Sequence, residues 1–237
     1  MHGLLVSLLV SLLALPCGTA RAQPLQLLVF ANPGLFDVAA DGTVSGPGAN
    51  VLAKIGQLSG VPLDILALPI PRALATASSM PGSCAVGLAR TPEREASFLW
   101  AGPLASGALV IYARADETQA LQGLLDLRGR GVVVQRESAP AAWLREQGIA
   151  AQETNNSVTA LRMLQARRVD FWFANELAAE PVIRTEAGPA VRSMLTLRRV
   201  DVYVACQVAT PPEQVDRLHQ AIQKLRRQGD LAEFGLR

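Results

Sequence analysis

The chain has 237 residues, half of them apolar and 18% charged, with a formal net charge of +2. That composition is globular and excludes a disordered chain or one that is apolar throughout. So small a charge sets up no field to gather nucleic acid or anionic lipid. The densest basic stretches, Arg167-Arg168, Arg198-Arg199 and residues 224–227, read as solvated faces, so no nucleic-acid partner is expected.

Residues 4–15 form an apolar run broken only by Ser7 and Ser11, and Ala20-Arg21-Ala22 follows with the small-x-small spacing read by signal peptidase. The segment 1–22 reads as an export signal cleaved after Ala22, which places the mature chain in the periplasm. It is shorter than the ~20 apolar residues a membrane span needs. No Lys or Arg precedes the run, and Ala14-Leu15-Pro16 before Cys17 makes a poor lipidation site. The mature chain keeps two cysteines, Cys84 and Cys206. An oxidising compartment allows a bridge between them; two buried thiols are the alternative.

Residues 25–31 (LQLLVFA) read as a buried strand, ended by Asn32-Pro33-Gly34. Asp41-Gly42 marks a turn. Asn50 is placed to cap a helix through Ser59, with Leu52, Ile55 and Leu58 on one face and Gly60 as its stop. A strand over 61–67 follows. A helix opens at Pro71, near Arg72, and ends by Pro81-Gly82, and residues 84–89 make a third strand. Strands are also expected over 109–113, 131–134, 170–173 and 200–208. Ser138 caps one intervening helix, and Asn156 or Ser157 caps another. Thr210-Pro211-Pro212-Glu213 has the form of a capping box before a last helix, whose apolar stripe is Val215, Leu218, Ile222 and Leu225. Strands alternating with helices predict an α/β protein whose mixed sheets carry helices on their faces. The pattern occurs twice, and the chain enters the second unit near Gly107 and returns near Val202. That predicts a two-lobed fold with a two-strand hinge: lobe one from 23–106 and 203–237, lobe two from 107–202.

Four segments carry a family resemblance. Thr91-Pro92-Glu93-Arg94 follows a strand and precedes Phe98-Leu99-Trp100-Ala101-Gly102-Pro103. Leu125-Asp126-Leu127-Arg128-Gly129 precedes a strand. Residues 160–170 end in Arg168-Val169-Asp170, and a closing helix runs from Leu218 to Gly229. In order and spacing these resemble the family 3 extracellular solute-binding proteins, whose best-known members are the amino-acid receptors of ABC importers.

The resemblance implies a site between the lobes. Arg94 matches the arginine that grips the ligand carboxylate; a guanidinium suits that task because it can donate two parallel hydrogen bonds. A surface Arg paired with Glu93 or Glu95 is the plainer reading. Leu88 and Ala89 line the same wall through their backbones, and Phe36 supplies an aromatic side. Ser138 matches a ligand-binding hydroxyl at a helix start, a place that favours anions, although Arg136 stands where the family has glycine. Asn175 stands where amino-acid receptors carry an ammonium-binding Asp, with Glu176 beside it, so an α-amino acid fits less well. Arg72 either lines the pocket as a second cation or is solvated. The resemblance also makes neighbours of the strands carrying Cys84 and Cys206, within reach of a disulfide.

The expected function is therefore periplasmic binding of a small anionic or zwitterionic, carboxylate-bearing solute, delivered to an ABC permease by a monomer. Sensing without transport is a second reading. A third is an enzyme resembling the periplasmic cyclohexadienyl dehydratases, but little supports it. His219 lies beside the apolar stripe of the last helix and reads as structural, and no triad, metal cluster or cofactor motif can be assembled.

Overall fold

A computed structural model describes residues 23–236, so the export segment and its cleavage after Ala22 lie outside the described residues. In chain order the elements are β1 (Leu25–Val29), β2 (Asp37–Val38), β3 (Val44–Ser45), α1 (Pro47–Ser59), β4 (Leu63–Ala67), α2 (Ile70–Ser79), β5 (Ser83–Ala89) and β6 (Phe98–Arg114). Then come β7 (Val132–Gln135), α3 (Ala139–Glu146), β8 (Gln152–Thr154), α4 (Ser157–Gln165), β9 (Phe171–Asn175), α5 (Glu176–Thr185), β10 (Val191–Gln207) and α6 (Pro212–Gln228).

One mixed sheet runs β4-β1-β5-β10-β6-β9-β7-β8, and β2 and β3 form a small hairpin. β1 lies parallel between β4 and β5, and β7 parallel between β8 and β9, as helix crossovers require. β6 and β10 join the two sets as an antiparallel pair of 17 residues each. At ~3.3 Å per residue each spans about 55 Å, more than one lobe can hold, so both belong to two lobes. Their pairing shifts register between Thr196 and Arg199 and between Val202 and Val204. Such irregularities bend strands and raise their twist, and here they fall where one lobe gives way to the other.

Each lobe buries apolar residues on both sheet faces. In lobe one, Leu27, Val86 and Val204 pack against Leu52 of α1 and Leu218 and Ile222 of α6, while Leu28, Ala85 and Ala205 pack against Ala73 and Ala77 of α2. In lobe two, Leu109, Val134 and Phe173 meet Leu144 of α3, while Val110, Val133 and Trp172 meet Leu161 of α4 and Val182 of α5. Alternate residues of each strand serve opposite faces, the consequence of the two-residue pleat. Cys84 and Cys206 stand directly opposite each other on β5 and β10, both wholly buried, and are joined by a disulfide.

Two expected caps are corrected. α1 begins at Pro47 after Gly46 (φ 98°), so Asn50 lies inside the helix and not at its cap. Proline's fixed φ is preorganised for a first helical turn. Thr210 does not cap α6, whose start has no side-chain cap. Its hydroxyl is buried and instead accepts from the Gly82 amide at 3.1 Å, tying α6 to the turn before β5. Two elements exceed expectation. β6 and β10 are far longer than 109–113 and 200–208: Gly102, Pro103 and Gly107 interrupt the apolar run of β6, and the first part of β10 is partly exposed and carries polar residues such as Arg192, Ser193 and Arg199. α5 is a further departure from the sequence pattern, in which Pro181 reads as a helix breaker.

Candidate functional site

The carboxyl ends of β1, β5, β7 and β9 open on one cleft between the lobes, with a volume of about 190 Å³. Lobe one contributes residues 30–32 after β1, Leu35 and Phe36, Ile70 and Leu74 of α2, and residues 86–89. Lobe two contributes residues 135–140, where β7 passes into α3, and Phe173 to Asn175, Leu177 and Ala178, where β9 passes into α5. Leu104, Ala105, Val200 and Val202 of the crossing strands form its base. The walls are mostly aliphatic and aromatic.

Leu88, Ala89, Ser138, Asn175 and Phe36 all line this cleft, so the fold brings these sequence candidates together. Ser138 Oγ donates to the Gln135 carbonyl at 2.6 Å and accepts from the Ala141 amide at 3.2 Å, so its proton is engaged while it caps α3. Asn175 Oδ1 accepts from the Leu177 amide at 2.9 Å as the cap of α5, and its Nδ2 donates to the Gly107 carbonyl at 3.4 Å.

Three candidates are placed otherwise. Arg72 is exposed and does not line the cleft, which corrects the reading of a second inward cation. The helix decides this: Ile70 and Leu74 are four residues apart and share the cleft face, while Arg72 stands about 200° round from Ile70. Glu176 also lies outside the cleft. Its Oε1 accepts from the Ala108 amide at 2.8 Å and from Arg199 Nη1 at 3.1 Å, bracing α5 on the crossing strands. Arg94 does not line the cleft, nor does it pair with Glu93 or Glu95. Glu95 is taken by Arg90, whose Nε donates to it at 2.7 Å and whose guanidinium lies over Trp100 and Tyr203. That pairing favours the ionised carboxyl and holds the Glu95 pKa below its ordinary value. Arg94 reaches the other lobe, where Nη2 donates to the Glu137 carbonyl at 3.2 Å and to its carboxylate at 3.3 Å.

Sequence reasoning missed Glu137 as a partner of Arg94. Glu137 has φ 58°, a left-handed backbone that costs a side-chain-bearing residue energy. Nothing in the local sequence announces that conformation, since the glycine expected nearby is replaced by Arg136. Among the described residues no group of three or more His, Cys, Asp or Glu is placed to hold a metal ion, and no helix is long and apolar enough to cross a membrane. His219 Nδ1 accepts from the Gly102 amide at 3.3 Å, and Gln223 donates to the Gly102 carbonyl at 3.0 Å, so α6 holds Gly102 through both its N–H and its C=O.

The fold of the chain is shared with solved structures. A histidine kinase sensor domain with similarity to periplasmic binding proteins matches at a TM-score of 0.81 and 18% identity, over 90% of this chain and 94% of that one. The chain has the two-lobed periplasmic binding protein fold. The same fold is seen in the GluR0 ligand-binding core from Nostoc punctiforme, in complex with L-glutamate (TM-score 0.75, 20% identity, 89% of this chain and 97% of that one). It is also seen in the substrate binding protein of an amino acid ABC transporter (TM-score 0.73, 15% identity, 90% and 97%). No protein-family model and no curated protein matches the sequence. At such identities the periplasmic binding protein fold is what is shared, and this cleft has to be read from its own residues.

Proposed function

We propose that the chain is a periplasmic receptor that binds a small solute in the interlobe cleft and hands it to an ABC permease as a monomer. Residues 23–106 with 203–237 would move as one lobe and 107–202 as the other. The observation that carries the reading is the cleft itself: both lobes line it, at the strand ends where α/β folds present ligands. Its contacts with a solute would be complete only with the lobes together, so the solute would draw them closed. Arg94, the expected carboxylate anchor, is engaged by Glu137, so the proposal does not require a carboxylate on the solute. The likeness to a kinase sensor domain favours a second reading, in which the same binding event is reported to a partner and nothing is transported.

The test is a thermal-shift screen of the mature protein with amino acids, carboxylates, sugars, alcohols and amides. A cleft ligand raises the melting temperature with its concentration and reduces the radius of gyration in X-ray scattering. Leu74→Glu, a half-exposed position on the cleft wall, removes that response. A screen in which no solute raises the melting temperature overturns the proposal.

A further inference from the structure

The cleft has its chemistry written in what its polar groups already do. Two charged residues line it, Arg136 and Glu137. Arg136 Nε donates to Glu153 at 3.1 Å, outside the cleft, and Glu137 is met by Arg94 at 3.3 Å. Each is therefore neutralised by a protein partner.

The helix starts that face the cleft have part of their donor set engaged. An anion at a helix N-terminus depends on free amide donors. At α3 the second position is Pro140, which has no N–H, and the third amide, Ala141, donates to Ser138. At α5 the Leu177 amide donates to Asn175, and Glu176 places a negative charge in the first turn. A cationic solute fares no better, because Glu137 and Glu176 are both held by arginines. What the cleft keeps is a set of aromatic and aliphatic walls, Phe30, Phe36, Phe173, Leu74, Leu104 and Val200 among them, with Asn32 and Gln135 as neutral polar residues of the lining, the oxygen of the second accepting from Ser157 at 3.4 Å. An ion brought here without a partner loses its hydration uncompensated, whereas an apolar body with one hydroxyl, amide or carbonyl does not.

We propose that the cleft selects an uncharged, predominantly apolar small molecule carrying one neutral polar group, and that the Arg94–Glu137 pair excludes carboxylates by occupying the cation that would bind them. This rests on the receptor reading above.

The experiment titrates the mature protein calorimetrically with matched pairs: benzamide against benzoate, 2-phenylethanol against L-phenylalanine, and hexanamide against hexanoate. The expected result is that the uncharged member binds at least ~tenfold more tightly, the step that 1.4 kcal/mol represents. Glu137→Gln, which removes the countercharge from the Arg94 guanidinium, should raise benzoate affinity by a similar factor; an unchanged benzoate affinity overturns the excluding role of the pair. If the charged members bind and the uncharged do not, the inference falls and the receptor reading stands. If no uncharged probe binds and the wider screen is also blank, both fall together.

Discussion

Arg94 of lobe one and Glu137 of lobe two, 43 residues apart in sequence, meet between the lobes beside the cleft that Glu137 lines, where one guanidinium nitrogen serves both the carboxylate and the backbone carbonyl of the glutamate. The contact joins the two lobes directly. Arg94 and Glu137 keep 21% and 42% of their side-chain surface exposed. A pair so placed contributes roughly 0.2–1 kcal/mol, enough to bias a hinge but little against the stability of the whole fold.

Arg94→Ala is therefore expected to shift the protein toward an open form while moving its melting temperature only slightly. X-ray scattering checks this: the radius of gyration rises in the variant, and rises in the unaltered protein when salt screens the pair. Superimposable profiles for the two proteins would remove the pair as a clasp.

The Cys84–Cys206 disulfide closes a loop of 122 residues and fastens β10 to β5 inside the lobe-one core. Replacing both cysteines with alanine should cost about 5 kcal/mol by loop entropy, or roughly 10–20 °C in melting temperature for a chain of this size. Calorimetry of the double variant measures it, and a fall of only a degree or two would show that the bridge adds little to the packing already there.

Gly107 lies on β6, where the lobes part. A Cβ there would stand 2.8 Å from Leu177 Cγ and closer still to the Asn175 amide that caps α5. Gly107→Ala should overpack the site, destabilising by about 1–3 kcal/mol, and displace the cap. Urea unfolding gives the stability, and amide exchange along α5 tests the cap; unchanged exchange at the start of α5 would contradict this account.

Asp126 shows how acid should act. Its carboxylate accepts the amide hydrogens of Gln122 (2.7 Å) and Gly123 (3.0 Å), and these bonds hold its pKa below the ordinary value. A carboxyl whose folded pKa is depressed adds stability that is complete above its unfolded pKa and disappears as pH falls through the folded one. Asp126→Asn should therefore be less stable near neutrality, with a shallower loss of stability below about pH 4. Denaturant midpoints across that range test it; parallel curves for the two proteins would contradict it.

Much of the fold was legible because strand and helix periods are local properties. The apolar run at 25–31, the alternation of strands and helices, and the stripe Val215–Leu218–Ile222 each reflect burial on one face, which sequence spacing records directly. The partly exposed first part of β10 and the proline-bearing α5 were not legible. A strand with a solvated face carries few apolar markers, and Pro181 is tolerated only in its tertiary setting. Among the cleft residues, Leu88, Ala89, Ser138 and Asn175 were found through motif order. Arg72 stayed open between cleft and solvent in the sequence because its face on α2 depends on where that helix packs.

By itself, then, the sequence determined the class of fold, the order of most of its elements and which side chains carried charge or sulfur. Tertiary structure alone decided who meets whom: that Cys84 faces Cys206, that Glu176 braces the crossing strands, and that Arg94 is answered by the protein's own carboxylate. The physical reason is that partner choice depends on distances set by chain segments far apart in sequence. An arginine's chemistry is the same whether its partner is a ligand or a neighbouring glutamate.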